Sequence, residues 1–293
     1  MTEYIIQLAV LIGINIILST SLNIINGYCG LFSLGHAGFF AVGAYSAALV
    51  TTHALPELTS QMPLVALFVS CLVAMLASGL VGLLVGIPCL RLTGDYLAIA
   101  SIGFSEIIRI VFLNMEAVGA SRGMPGIEHL SSLPVVAVAA AITVWLLNNL
   151  INSSYGRCII AVREDEIAAR SMGVNVRFYK TFAFVIGALF AGLAGALFAH
   201  NQQFLHPSNF SFLPSVTILL MIVIGGLGSQ TGAVLGAVIV TVLPELLRFN
   251  EFLSQIRMLI FALIMIVVML WQPDGLMGLI KKKTKCGLEV SAA

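Results

Sequence analysis

The sequence predicts an all-α, polytopic integral membrane protein of about nine transmembrane helices, with a range of eight to ten, and three observations carry that reading. Of the 293 residues, 59% are hydrophobic and only 9% are charged, against about 25% charged in an ordinary soluble domain. So few charges cannot cover the surface of a globule this size, which excludes a soluble enzyme, a nucleic-acid binder and a disordered chain. The apolar residues also fall into runs that suit bilayer crossings of about 20 residues. Finally, nine of the 14 lysines and arginines lie in two segments, 153–180 and 272–293.

Candidate spans are 4–26, 37–53, 63–87, 97–114, 134–152, 181–200, 210–224, 233–248 and 252–271. The first run, MTEYIIQLAVLIG, has no basic leader and no small-residue cleavage site, so it reads as a retained helix rather than a signal peptide. The positive-inside rule places both basic segments in the cytoplasm. Four crossings separate them, and this even number returns the chain to the same side. Counting back puts 115–133, with Arg122, and 54–62 outside, 88–96, with Arg91, inside, and the N-terminus outside. Segment 27–36 reads as a cytoplasmic loop or as a re-entrant break, and the second reading shifts the count by one. The whole chain, 1–293, is taken as one transmembrane domain containing a cytoplasmic loop at 153–180 and a basic tail at 272–293.

Two glycine-rich stretches interrupt the apolar sequence, GYCGLFSLGHAGFFAVG at 27–43 and GGLGSQTGAVLG at 225–236. Glycine permits both unwound backbone and close helix approach. Unwound backbone at membrane depth survives only where it is buried in protein or lines a wet cavity, and interrupted helices point to transport paths. Ser33, His36 and Gly38 in the first stretch, and Ser229, Gln230 and Thr231 in the second, are the candidate path residues. The alternative is that these glycines simply pack helices tightly and that His36 is a hydrogen-bonded packing element.

Glu106 with Arg109, and Glu245 with Arg248, sit three residues apart and so share a helix face, where each pair neutralises itself. Asn15 and Asn23 read as interhelical hydrogen-bonding residues. HExxH, GxSxG, P-loop and Rossmann patterns are absent, and the five scattered cysteines have no metal-ligand spacing. The chain is therefore expected to be no enzyme and to hold no cofactor or metal.

The segment REDEIAARSMG at 163–173 starts with acids suited to a helix N-terminus, continues with good helix formers and stops at Gly173 as a C-cap. Glu166 and Arg170 share a polar face with Arg163, while Ile167, Ala168, Ser171 and Met172 form a small apolar face suited to a groove on another protein.

Here the sequence resembles a known family. Glu166, with Ala168-Ala169 and Gly173, looks like the EAA loop of ABC importer permeases, the coupling helix that docks on the ATPase. Tyr155-Gly156-Arg157 through Ala161-Val162-Arg163-Glu164-Asp165-Glu166-Ile167-Ala168-Ala169 is similar to the corresponding stretch of branched-chain amino acid permeases of the LivM type. Three more segments agree: Asn26 to Gly38, Gly225 to Gly232, and Pro273-Asp274-Gly275-Leu276-Met277-Gly278. Ile167 stands where the general motif has glutamate, and no Ile-x-Leu-Pro follows Gly173, as is typical of this branch.

The resemblance implies a bacterial inner-membrane permease subunit carrying leucine, isoleucine and valine. Its implied partners are a LivH-type permease, two cytoplasmic ABC ATPases that hold the ATP and magnesium, and an external solute-binding protein. Coupling falls to Glu164, Glu166, Ile167, Ala168, Ala169, Met172 and Gly173. Urea and short-amide permeases share this architecture, and an ion-driven secondary transporter is the alternative from another class.

Overall fold

The computed structural model describes residues 2–246, except residue 93, together with residue 275. The regular elements among the described residues are all helical. α1 (Thr2–Asn23) continues through a π-helical turn, Ile24–Tyr28. The chain is then non-helical until α2 (His36–Leu49), which runs into a second π turn, Val50–Ala54. α3 (Pro56–Gln61) and α4 (Pro63–Cys89) follow, then α5 (Asp95–Asn114) and α6 (Leu133–Asn152). Two short helices, α7 (Ser154–Glu164) and α8 (Glu166–Ser171), precede α9 (Val176–Gln202), α10 (Phe212–Gly225) and α11 (Gln230–Leu246).

Among the described residues, six segments are long and apolar enough to cross a membrane: Glu3–Tyr28, Pro63–Cys89, Asp95–Asn114, Leu133–Asn152, Val176–Gln202 and Pro207–Gly225. They match six of the spans expected from hydropathy. The expected 37–53 is α2 with its π turn, and 233–248 is the shorter apolar helix α11. The expected 252–271 lies outside the described residues, as does Arg248. α9 begins at Val176, so the end of the polar interruption is already the first turn of a spanning helix.

α2 and α9 form the centre, and small residues let them approach closely. A Cβ on Gly43 would lie 2.4 Å from the Gly192 Cα, and one on Gly195 would lie 2.3 Å from the Phe40 carbonyl oxygen. Backbones that near permit extensive van der Waals contact, the main attraction between helices surrounded by lipid. α4 packs along α9 and is tied to α2 by the Ser78 hydroxyl, which donates to the Phe39 carbonyl at 2.9 Å. Its opposite face carries Leu64, Phe68, Leu72, Leu76, Leu80 and Leu84, all exposed and spaced by four. In water such a stripe would be unfavourable, whereas against acyl chains it is the expected surface.

The connections gather at the two ends of α9. At its C-terminal end, Met124 and Leu205 exchange backbone hydrogen bonds of 2.8 and 3.1 Å. The His206 ring there bonds the Ser121 carbonyl oxygen at 3.2 Å. At its N-terminal end lie α7, α8, the non-helical segment after Tyr28, the corner at Arg91 and the turn before α11.

Candidate translocation and coupling site

The two glycine-rich breaks meet. Asn23, at the end of α1, accepts the Gly228 N–H at 3.0 Å through Oδ1 and donates through Nδ2 to the Ser229 carbonyl at 3.1 Å. One amide side chain thus satisfies both backbone polarities of the turn between α10 and α11. Gly27 closes the contact from the other side, since a Cβ there would lie 2.5 Å from the Gly228 nitrogen. The same turn is met by Gly275, whose Cβ would fall 2.4 Å from the Gly226 Cα.

The first break is held open by side chains standing in for helical partners. Asn26 Nδ2 donates to the Ser33 carbonyl at 3.0 Å, and its Oδ1 accepts the Ser33 N–H at 3.2 Å. Gly35, before α2, has no capping side chain, so hydroxyls from other helices take the free amides. Ser101 of α5 accepts from Leu34 at 2.9 Å, and Ser215 of α10 accepts from Ala37 at 3.2 Å. His36 is buried, with Nε2 2.9 Å from the Ser21 hydroxyl, and Gly38 packs against Ser105. Ser33, His36 and Gly38 therefore sit within the packed helix junction.

Gln230 and Thr231 sit elsewhere, on a groove of about 930 Å³ between α1, α6 and α11. Gly13, Ala137, Ala140, Val144 and Val234 make most of that groove apolar. Among the described residues, the buried Gln230 amide has no hydrogen-bond partner on its oxygen or its nitrogen. Ser229 takes part through its backbone in the Asn23 clamp, and its hydroxyl lies 3.2 Å from the Thr231 hydroxyl. The six sequence candidates thus divide between a packed junction and a groove wall. Asn15 fastens α1 to α11 by donating to the Thr241 hydroxyl at 2.8 Å.

The segment 163–173 is a helix–cap–helix unit. Asp165 interrupts α7 and caps α8, its carboxylate accepting from the Ile167 and Ala168 amides at 2.8 and 3.0 Å. Gly173, at φ +82°, ends α8 in the left-handed conformation that favours glycine. Ala169 is buried against Val162 and Val176, which seats the helix on the bundle. Ile167 and Met172 are 79% and 84% exposed, and Ala168 is exposed beside them. Glu166 pairs with Lys180 of α9, and Glu164 pairs with Arg163. The face read from the sequence, Ile167, Ala168, Ser171 and Met172, is exposed, whereas Ala169, expected among the docking residues, turns inward.

Arg163 joins this unit to the breaks. Its Nη1 donates to the Gly27 carbonyl at 2.8 Å, and its aliphatic stem covers Gly30, where a Cβ would lie 2.7 Å from Cγ. The sequence places Arg163 on a polar face, and no local pattern gives its partner.

A family model described as "Branched-chain amino acid transport system / permease component" matches residues 4–269. The chain belongs to this permease family. It is 36% identical to the high-affinity branched-chain amino acid transport system permease protein LivM of Escherichia coli K12, over 96% of this chain and 71% of the relative. It is 25% identical to a probable LivM permease of Methanocaldococcus jannaschii, over 90% of each chain. Similarity to the LivH permease of Escherichia coli K12 is more local, 29% identity over 43% of this chain and 40% of the relative. No solved structure matches. The permease is thus a multi-pass helical membrane protein whose relatives are transport permeases, and its glycine junction and helix–cap–helix unit fall within the matched residues.

Proposed function

We propose that the permease is one membrane-spanning half of an ABC importer for leucine, isoleucine and valine. It would pair with a LivH-type permease, two cytoplasmic ATPases that bind ATP and magnesium, and an external solute-binding protein. α8 is the coupling helix, with Ile167, Ala168 and Met172 entering a groove on the ATPase. Asp165, Ala169, Gly173 and the Glu166–Lys180 pair hold it in place. The chain itself carries no cofactor and makes or breaks no covalent bond.

The observation that carries this reading is the bond between Arg163, just before α8, and Gly27, in the junction of the two breaks. Closure of the ATPase pair moves α8, Arg163 passes that movement to Gly27 and Gly228, and the groove beside Gln230 and Thr231 changes its opening. Side-chain hydrogen bonds suit this role, because they can exchange partners at a net cost of about 0.5–1.5 kcal/mol for a neutral pair and about 1.5–3 kcal/mol for a charged one such as Arg163–Gly27.

The reading has nine crossings, with the N-terminus outside and α8 and the C-terminus in the cytoplasm. α2 with its π turn, Gly35 to Ala54, reaches about 28 Å at 1.5 Å per residue, close to the hydrocarbon thickness. The packing of Gly275 on Gly226 supports a return to the cytoplasmic side after α11. The clustering of Gly27, Arg91, Arg163 and Gly228 at one end of α9 agrees with the alternation of sides.

The test is an Ile167→Asp, Met172→Asp double variant in proteoliposomes with the partner subunits. ATPase co-purification is expected to be lost and labelled leucine uptake to fall to background, with the melting temperature unchanged. Normal uptake and normal ATPase association would overturn the reading. Tight binding of urea, and of none of the three amino acids, by the cognate binding protein would overturn the choice of solute.

A further inference from the structure

A cavity of about 730 Å³ lies at the N-terminal end of α9, between the end of α4 and the coupling unit. Its wall carries four cations from three elements: Arg91 just after α4, Arg170 on α8, and Arg177 and Lys180 on α9. Glu166 is its one acid and is already paired with Lys180, which is 8% exposed. Among the described residues Arg91, Arg170 and Arg177 make no ion pair and no side-chain hydrogen bond, so the cavity keeps a positive charge of about three. Three unpaired guanidinium groups around one concavity form a receptor for a multiply accepting anion such as phosphate, which arginine binds through its planar fork.

The remainder of the wall says which phosphate. Ile87 and Leu90 line the upper side, and Ile87 continues the exposed apolar face of α4 through Leu84 and Leu80. The mouth is therefore cationic toward α8 and apolar toward the acyl region. A soluble anion gains nothing from the apolar lip, whereas a phospholipid places its headgroup among the arginines and its chains along α4. Basic pockets between spanning helices on the cytoplasmic side suit such headgroups.

We propose that this cavity binds the phosphate headgroup of an anionic phospholipid of the cytoplasmic leaflet. The bound headgroup bridges α4, α8 and α9, and so braces the coupling helix against the end of a span. The inference rests on the proposed orientation only for the choice of leaflet.

The experiment is native mass spectrometry of the purified transporter containing the full-length chain, with phosphatidylglycerol or phosphatidylcholine added. The wild type is expected to retain phosphatidylglycerol and not phosphatidylcholine. An Arg170→Gln, Arg177→Gln double variant should bind phosphatidylglycerol at least about ten-fold more weakly. Arg91→Gln, on the opposite wall, should weaken it as well, and Arg177→Lys should recover most of the binding. Arg157→Gln, which removes a basic residue of the same loop outside the cavity, should leave it unchanged. Melting temperatures in phosphatidylcholine separate loss of the site from loss of the fold, and Arg91→Gln gives a second variant if the double one is unstable. Equal retention of both lipids would overturn the proposal, as would unchanged phosphatidylglycerol binding by the variants. Complete displacement by millimolar inorganic phosphate would make this a soluble-anion site. Lost ATPase association with unchanged lipid binding would assign the cavity to the ATPase interface, and either result overturns the lipid proposal.

Discussion

The guanidinium of Arg163 donates to the carbonyl of Gly27 across 136 positions of sequence, at 2.8 Å. Gly27 in turn abuts Gly228, which Asn23 holds, so one arginine just before α8 touches the meeting point of both glycine-rich breaks. Arg163→Ala should lower leucine uptake by about ten-fold or more, as expected for loss of a charged hydrogen bond of roughly 1.5–3 kcal/mol. ATPase co-purification should be retained, because Ile167 and Met172 are untouched. Arg163→Lys should recover part of the rate, since lysine brings charge without the planar fork that also meets Glu164. Uptake by the alanine variant at the wild-type rate would sink the idea of a mechanical link.

Close packing at Gly43 predicts a stability effect separable from transport chemistry. Gly43→Ala drives a methyl into the Gly192 backbone, and overpacking of this kind costs about 1–3 kcal/mol. Thermal unfolding in detergent should show a lower midpoint. Gly103→Ala, where an added Cβ meets nothing within 4 Å, should leave that midpoint unchanged or raise it slightly. Equal midpoints for both variants would contradict the packing argument.

At Gly173 the backbone sits at φ +82°, a conformation open to glycine, tolerated by asparagine and unfavourable for other residues. Gly173→Asn should therefore retain most uptake, and Gly173→Val should fray α8 and uncouple it. Hydrogen exchange at residues 166–172 is the direct readout, with faster exchange expected only in the valine variant.

Gln230 offers a trade between stability and activity. Its buried amide is unpartnered at both ends among the described residues, and an unsatisfied buried polar group costs about 1–3 kcal/mol. Gln230→Leu should raise the melting midpoint, and uptake should fall if the groove beside it carries solute. A variant both more stable and fully active would remove Gln230 from the path.

What was legible in the sequence was what depends on near neighbours. Hydropathy gave the six long spans, helical spacing gave the Glu106–Arg109 pair, and an acid-rich start with a terminal glycine gave α8. The glycine stretches could be seen as breaks, but their meeting could not. Asn23 and Gly228 are 205 positions apart, and asparagine presents the same groups to any turn that packing brings near it. Lys180 likewise gives no local sign that it will turn back to Glu166. The exposed face of Ile167, Ala168, Ser171 and Met172 follows from helical spacing, but the seat of Ala169 on Val162 and Val176 depends on how α7 and α9 pack around it. His36 was legible as a residue beside glycines, and its bond to Ser21 places it in helix packing.

The two ends of α9 are fastened by different means. Near Gln202 the fastening includes a reciprocal backbone pair, Met124 and Leu205, which cannot shift register without losing both bonds, alongside ring bonds from His200 to the Glu128 carbonyl and from His206 to the Ser121 carbonyl. Near Val176 the fastening is by side chains, Arg163, Lys180, Asn23 and Asn26, each able to swing by a rotamer and find another acceptor. If α8 moves as proposed, the bonds free to exchange partners are therefore those at the Val176 end, beside the meeting point of the glycines, while the Met124–Leu205 clasp keeps its register.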